Sequence, residues 1–559
     1  MTSPLILQTD GTLLLDSEHE EHKQYIDELT LFASLKESQG QWHKYEIDNL
    51  SLWNAAGAGR DPQTVIDWLK SNSKTSLSQE LENRIREQMG RYGATRLVPA
   101  DKPSRIKLVT DQPDVIELIE HEESPTPAPQ QLGDQSAEFL EEERGLVKQY
   151  LAREGWPVVD LLGYEEGESL PLNLDEETEL RDYQVEALDA YERGEEKDGG
   201  SGVVLLPCGA GKTVVGLGLM ARKQSNTLII ATHRTARRQW KREILEKTNL
   251  NEDQVGEYSQ EQKSISPVTL TTYNMLTYRD QEQNRFIHMD LFKRANWGLI
   301  IYDEVHLLPA PVFRATAEIQ SKRRLGLTAT LVREDDRESD VFSLIGPLRY
   351  DYPWQRLTDE GWISPAKCVE ERVPLDSAHE GEYNRTESRR DRHRIAAENP
   401  EKLNEIERVL EKHSGGRILI IGYYLDFLEE IHERFEFPLI TGDTSPSDRR
   451  DEYQRFRDEE IRGLVLSKVG NYSVDLPNAD VLIQVSGTFG SRQEEAQRLG
   501  RVLRPNPDGS ASYFYQLVTD ETVEVEYARR RKRYLLRQGY EYDIRKPDEE
   551  TKTVAGASS

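Results

Sequence analysis

Residues 203–213 read Val-Val-Leu-Leu-Pro-Cys-Gly-Ala-Gly-Lys-Thr, an apolar run that breaks into a glycine-rich turn and opens the apolar-rich stretch Val214–Met220. Strand, Gly-x-Gly-Lys-Thr and helix, in that order, suit a triphosphate. Backbone amides freed by Gly209 and Gly211, together with the positive end of the helix, cradle the phosphates. Lys212 reaches the β and γ phosphates, and the Thr213 hydroxyl holds Mg²⁺. The generic eight-residue pattern has Gly where this chain has Leu206. The alternative is an ordinary glycine turn; the apolar strand before it and the helix after it favour a phosphate loop.

Around this loop, from about Asp175 to Leu357, short apolar runs alternate with helical stretches: Val203–Leu206, Thr227–Ala231, Thr269–Thr272, Leu299–Tyr302 and Leu325–Leu327. Continuous apolar strands separated by helices indicate a buried parallel sheet. Over residues 358–545 the rhythm recurs without a second Lys-Thr loop, in Ile418–Ile421, Pro438–Thr441, Leu464–Ser467, Val481–Val485 and Tyr513–Val518. ATP is therefore expected in a cleft between domains 175–357 and 358–545, with the second completing the site. Residues 1–93 are expected to form an N-terminal helical region. Asp61-Pro62 starts one helix, and Leu77, Leu81, Ile85 and Met89 recur every four residues in another. Residues 94–174 predict a small mixed α/β domain, with strand-like Arg105–Val109 and Val115–Ile119 and a helix over Phe139–Leu151. The proline-rich 124–129 reads as a linker, and 546–559 as a flexible tail. The fold class is α/β: two doubly wound parallel-sheet domains in tandem, preceded by a smaller mixed α+β N-terminal region.

The run Leu299–Tyr302 delivers Asp303-Glu304-Val305-His306 to the end of a strand, where doubly wound sheets place their ligands. Asp303 suits Mg²⁺ coordination and Glu304 the orientation or deprotonation of an attacking water. Paired acids also occur as solvated surface groups; the preceding apolar strand and the phosphate loop favour catalysis. In Gln497-Arg-Leu-Gly-Arg501-Val-Leu-Arg504 the last two arginines share a helical face. They form a candidate arginine finger for the γ phosphate, against the reading of a surface helix paired to Glu494 and Glu495. Thr328-Ala-Thr330, behind a short strand, is placed to link nucleotide state to domain movement.

A chain of 559 residues with 36% apolar composition has ample length for several ordinary cores. No apolar run reaches membrane-spanning length and Met1–Asp10 lacks signal-peptide character, so a cytoplasmic location and no membrane partner are expected. Two cysteines, Cys208 and Cys368, support neither a disulfide framework nor a zinc site. The net charge of −29 is awkward for a protein that grips nucleic acid. It excludes DNA as a ligand, or it is spread over solvated faces in a protein adapted to high salt, where self-repulsion is screened. Arginine groups at Arg234–Arg242, Arg385–Arg394 and Arg529–Arg533 favour the second reading, although each alone reads as a solvated face.

Taken in order, Leu180-Arg-Asp-Tyr-Gln184, LPCGAGKT, DEVH, GLTATLVREDD (326–336), SKVGNYSVDLP (467–477) and EAQRLGRVLRP (495–505) closely resemble the xeroderma pigmentosum group B helicase family of superfamily 2. LSLWNAAGAG (50–59) and EQMGRYG (87–93) extend the likeness upstream. The resemblance implies two RecA-like domains and a DNA-dependent ATPase that opens or translocates on duplex DNA in excision-type repair. It also implies a damage-recognition-like role for 94–174. Arg181 and Gln184 are implied at the adenine, Lys212 and Thr213 at phosphate and Mg²⁺, and Asp475 at nucleotide. Gln497, Arg501 and Arg504 are implied to complete hydrolysis, with His306, Thr328 and Thr330 in coupling. Arg333, Glu334 and Asp335 match an element implicated in opening DNA, and a thumb-like element near 380–394 puts Arg389 and Arg390 at phosphates. Implied partners are double-stranded, forked or damaged DNA and a repair nuclease. The alternatives are a duplex translocase without strand separation, an RNA-directed relative, or a nucleotide-binding scaffold without turnover. Asn471-Tyr472 departs from the family's usual Asp-Thr, and His233-Arg-Thr-Ala-Arg237 is an unusual form of a DNA-backbone segment. The missing acidic insertion of eukaryotic relatives and the charge suggest a halophilic archaeal source.

Overall fold

A computed structural model describes residues 3–39, 41–121, 126–163, 166–198, 200–207, 209–280, 285–309, 312, 315–317, 319, 322–329, 338–352, 356–357, 360, 366–467, 479–487, 512–529 and 541–546. The chain divides into two compact units, one mainly of residues up to Tyr352 and the other mainly from Pro353 onward.

The first unit contains the expected parallel sheet. Its seven strands lie in the spatial order Val255–Glu257, Val268–Thr272, Thr227–Ala231, Leu299–Asp303, Arg323–Thr328, Ser201–Leu205 and Leu348–Asp351. All pairings are parallel. Thr227–Ala231 and Val268–Thr272 are buried throughout, as a sheet covered on both faces requires. Trp297, Ile300, Tyr302, Val305 and Leu344 belong to its main hydrophobic cluster.

Two further sheets precede it. Residues 5–46 form a four-stranded sheet, Leu5–Leu7, Thr12–Asp16, Trp42–Glu46 and Ser34–Gln39 in that spatial order. The region expected to be helical over 1–93 thus also holds strands; its helices occupy His22–Leu29, Asn49–Gly57, Pro62–Asn72 and Gln79–Arg91. The strands escape a pattern reading because they are short and, as in Trp42–Glu46, carry one buried residue among polar ones. Asp48, Asp61 and Ser78 cap the last three helices with their side chains.

The second small sheet orders Gln131–Gly133, Ser136–Leu140, Arg105–Thr110, Thr95–Pro99 and Val158–Asp160. Here two expectations are corrected. Val115–Ile119 lies in helix Pro113–Glu120, where Pro113 starts the first turn and Val115, Ile116 and Ile119 share the buried face. The helix expected from Phe139 begins at Arg144 and runs to Arg153, while Phe139 sits in a strand. The segment 124–129 lies partly outside the described residues.

The second unit holds another all-parallel seven-stranded sheet, ordered Leu439–Ile440, Gly463–Ser467, Ile418–Gly422, Val481–Gln484, Ser512–Thr519, Ala366–Val373 and Glu541–Arg545. Where a thumb-like element was expected stand two helices, Ser377–Arg385 and Arg389–Ala397. His393 anchors the second through Tyr424, its Nδ1 2.9 Å from the phenol oxygen, and meets Tyr527 edge-on.

Asp160 is fully engaged in the five-stranded domain. Arg144 donates to both its oxygens at 2.7 Å, and Lys148 donates at 3.0 Å. Burial alone would raise this carboxyl, but Lys148 and Arg144 outweigh it and hold it down at about 2. A depressed folded value means stability that is present above the unfolded pKa of about 3.9 and lost as pH falls through about 2. Asp160→Asn leaves two buried cations without their counter-charge and should cost about 3–5 kcal/mol at pH 7. Denaturant unfolding of both forms at pH 7 and pH 3 tests this: the gap must narrow at the lower pH, and an equal gap at both would remove the ion pair as its source.

Candidate active site

The strand bearing the phosphate loop and the strand bearing the two acids are not neighbours; Arg323–Thr328 lies between them. Leu205 pairs with Thr328 and Asp303 with Leu327, so all three strands end level at their carboxyl edge. The Leu206 amide donates to the Thr328 carbonyl at 3.0 Å, which fastens the start of the loop to the middle strand.

Gly209 and Gly211 adopt φ of +84° and +78°, a region that a side chain would strain. Gly211 also lies against Gln184: a Cβ there would stand 2.5 Å from its Nε2 and displace that side chain. Helix Lys212–Lys223 starts with no side-chain cap, so its first amides face the loop and suit an anion. Thr213 is the second residue of this helix. Gln184 lies beside the loop in helix Asp182–Asp198, its Oε1 accepting from the Arg181 amide at 3.0 Å, while Arg181 Nη1 donates to the Tyr183 hydroxyl at 2.9 Å.

Lys212 Nζ lies 3.3 Å from Glu304 Oε1 and 3.5 Å from the Leu206 carbonyl. Glu304 has left-handed backbone angles, φ +50° and ψ +57°, a strain of order 1 kcal/mol for a residue with a side chain. Its Oε2 accepts from Thr328 Oγ1 at 3.5 Å and from the Ala329 amide at 3.4 Å. His306 Nδ1 sits 2.6 Å from the same threonine hydroxyl and 3.7 Å from Glu304 Oε2. Asp303 Oδ2 accepts from the Trp240 indole at 3.1 Å, and its carbonyl accepts from the Tyr273 hydroxyl at 3.0 Å. The Trp240 ring fits only because residue 216 is glycine, where a Cβ would come within 2.5 Å of it.

The two acids are held in different states. Burial and the adjacent Glu304 charge push the Asp303 carboxyl up to about 7. Burial would also raise Glu304, but the Lys212 ammonium and His306 overcome it and hold that carboxyl below its usual range. Burial thus opposes a second negative charge beside Glu304, and a divalent cation carried by a polyphosphate would supply the counter-charge that ionises Asp303.

Lys212, Gly209, Gly211, Thr213, Asp303, Glu304, His306 and Thr328 therefore gather at one edge, with Arg181 and Gln184 beside the loop. Thr330, Arg333, Glu334, Asp335, Asp475, Gln497, Arg501 and Arg504 lie outside the described residues. Arg389 is engaged by Glu526 and lies over the Tyr527 ring at 5.7 Å, whereas Arg390 is exposed with no carboxylate at ion-pair distance among the described residues. In the 233–237 segment, the His233 ring accepts from the Ala236 amide at 3.1 Å and caps the helix Arg234–Lys247. Arg237 turns inward to Glu257 at 2.8 Å, leaving Arg234 and Arg238 toward solvent. Trp240 and Tyr273 escaped the sequence reading. A lone tryptophan in the polar helix 234–247 was the available signal, since a buried indole usually needs an acceptor.

Three families match the sequence: one described as ERCC3/RAD25/XPB C-terminal helicase over residues 357–556, one as helicase conserved C-terminal domain over 5–130, and one as type III restriction enzyme, res subunit, over 177–333. The DNA 3'-5' helicase XPB of Mycobacterium tuberculosis is 46% identical over 547 residues, covering 98% of this chain and 98% of that one. The general transcription and DNA repair factor IIH helicase/translocase subunit XPB of Encephalitozoon cuniculi is 33% identical over 97% of this chain and 82% of its own length. A Rad25 relative in Halobacterium salinarum is 38% identical over 73% of this chain and 65% of its own. With near-complete coverage at that identity added to the loop, the two acids and the linking strand, this chain belongs to the XPB family of DNA helicases.

Proposed function

We propose that the protein is an ATP-dependent DNA helicase or translocase of DNA repair, hydrolysing ATP at the carboxyl edge of its first parallel sheet. The observation that carries the reading is the convergence of Lys212, Glu304, Thr328 and His306 within 3.7 Å steps of one another. Lys212 and the loop amides hold the β and γ phosphates. Thr213 and Asp303 are the residues that would hold Mg²⁺, which supplies charge neutralisation on the phosphates when bound. Glu304 orients and deprotonates the attacking water, and His306 with Thr328 reports the state of Glu304 to the neighbouring strand. Gln184, with Arg181, is assigned to adenine, Asp475 to nucleotide, Gln497, Arg501 and Arg504 to the γ-phosphate charge, and Thr330 to coupling.

For DNA, Arg333, Glu334 and Asp335 are assigned to strand opening and Arg390 to a phosphate, with Arg389 held in reserve by Glu526. Forked or damaged duplex is the intended substrate, a repair nuclease a fitting partner, and the cytoplasm the location. The charge of −29 supports adaptation to high salt. A halophilic archaeal source agrees with that charge, while the bacterial relative at 46% identity is nearer than the Halobacterium one at 38%.

Hydrolysis should rise on adding duplex or forked DNA, in molar salt or in dilute buffer; a phosphate-release assay showing no stimulation in either rejects the motor. Lys212→Ala should abolish turnover. Trp240→Phe keeps the ring but removes the donor that aims Asp303, and should lower turnover by about 10- to 100-fold; unchanged turnover would remove the indole from the mechanism. Arg390→Ala should leave DNA-free hydrolysis intact and reduce the salt slope of DNA binding by about 1. A slope equal to that of the parent would take Arg390 off the phosphate track.

A further inference from the structure

The helix Glu338–Leu344 and the turn after it are gripped by both N-terminal modules. From the five-stranded domain, Arg153 makes a two-pronged ion pair with Asp340, Nε to Oδ1 at 3.0 Å and Nη2 to Oδ2 at 2.8 Å. The Asp340 side chain is 1% exposed and that of Arg153 42%, so the carboxylate is committed while the guanidinium stays reachable. Arg153 ends the helix Arg144–Arg153; at its head, Gly145 meets the backbone of Ala317 so closely that a Cβ would lie 2.3 Å from its Cα. From the first module, Trp53 and Tyr92 pack on Phe342 with ring centroids 5.9 Å and 6.2 Å apart, and the Asn54 side chain accepts from the Leu348 amide at 2.9 Å.

The same stretch is welded to the strand that carries the phosphate loop. The Val203 amide donates to the Pro347 carbonyl at 2.9 Å, and Leu348 pairs with Val203 in the sheet. Gly346, at φ +127°, lies so close that a Cβ would stand 2.8 Å from Ser201 and Gly202 backbone atoms. On its other side the stretch follows Thr328, the hydroxyl that touches Glu304 and His306, by ten residues in sequence. A displacement at the Gly346–Leu348 end has close-packed backbone, rather than solvent, through which to act.

We propose that the Arg153–Asp340 pair is a positioning joint: it fixes the five-stranded domain to the helix Glu338–Leu344, so that nucleotide state at the phosphate loop sets the placement of that domain and couples hydrolysis to strand opening. The proposal rests on the helicase reading above. Arg153 touches neither nucleotide nor reacting atoms and acts through Asp340. Its bidentate geometry is specific to a guanidinium, and the joint lies away from the loop, so hydrolysis itself does not need it.

The test uses the full chain carrying Arg153→Gln with Asp340→Asn, which leaves no buried charge behind, and separately Gly145→Val, which disturbs a second contact of the same helix, its head against the Ala317 backbone. Both should retain DNA-stimulated hydrolysis within about twofold while strand opening per ATP falls by about 5- to 150-fold, the usual span of a coupling between sites. Amide exchange over 144–153 should respond to a non-hydrolysable ATP analogue in the parent and not in either variant. Opening per ATP equal to the parent's in both variants, or hydrolysis lost in step with opening, overturns the joint. A parent that hydrolyses with DNA stimulation but shows no nucleotide response over 144–153 also overturns it and spares the motor. A parent without DNA stimulation whose 144–153 exchange still responds to the analogue rejects the motor and with it the coupling to strand opening, leaving only a nucleotide-dependent placement of the domain.

Discussion

The strand Arg323–Thr328 sets the distance at which the chemistry takes place. Adjacent strands are about 4.8 Å apart, so the strand that leads into the phosphate loop and the strand that ends at Asp303 stand about 10 Å apart with this one between them. Lys212 reaches over this strand from the start of the helix after the loop, and its ammonium meets Glu304 at 3.3 Å. The short Thr328 fills what remains, close to both Glu304 and His306. The left-handed backbone at Glu304 belongs to the same constraint, since the chain must turn sharply off its strand to present this side chain rather than follow Asp303.

Sequence revealed the parts whose chemistry is local. The phosphate loop and the two acids each announce themselves because strand, turn and helix chemistry are contiguous there, and the continuous apolar runs of both large sheets follow from burial on two faces. The small N-terminal sheet was hidden because its strands are short, only three residues in Leu5–Leu7, and one of them, Ser34–Gln39, is mostly polar. Val115 and Ile119 look like strand residues by type, but Pro113 and a spacing of four make them a helix face. Trp240 and Asp303 lie 63 positions apart, and Arg153 and Asp340 lie 187 apart. No periodicity links such pairs; only the closed fold brings them together.

The acidity is less paradoxical once the arginines are followed to their partners. Arg237 is held by Glu257, Arg389 by Glu526, Arg394 by Glu398 and Asp426, and Arg222 by Asp189 and Glu192. Surplus carboxylates thus hold guanidinium groups in fixed places. High salt weakens the exposed pairs among these, but it reaches little of the buried ones, such as Asp160 with Arg144 or Lys402 with Glu524 at 2.8 Å. In the proposed reading, salt tolerance and DNA binding draw on different charges: the first on the solvated surface, the second on cations such as Arg390, which no carboxylate among the described residues holds.

The Lys212–Glu304 pair makes the site self-restraining in the proposed reading. Before nucleotide arrives, the ammonium is the chief reason that Glu304 stays below the usual carboxylate range, and a carboxylate so stabilised is a poor base. A γ phosphate competes for that ammonium. As Lys212 turns toward it, Glu304 loses its main counter-charge and keeps only the weaker Thr328 and Ala329 donors and His306. In the proposed reading, arrival of substrate therefore changes the counter-charge of the group assigned to activate water, and the hydroxyl of Thr328, in touch with both Glu304 and His306, stands next to that change.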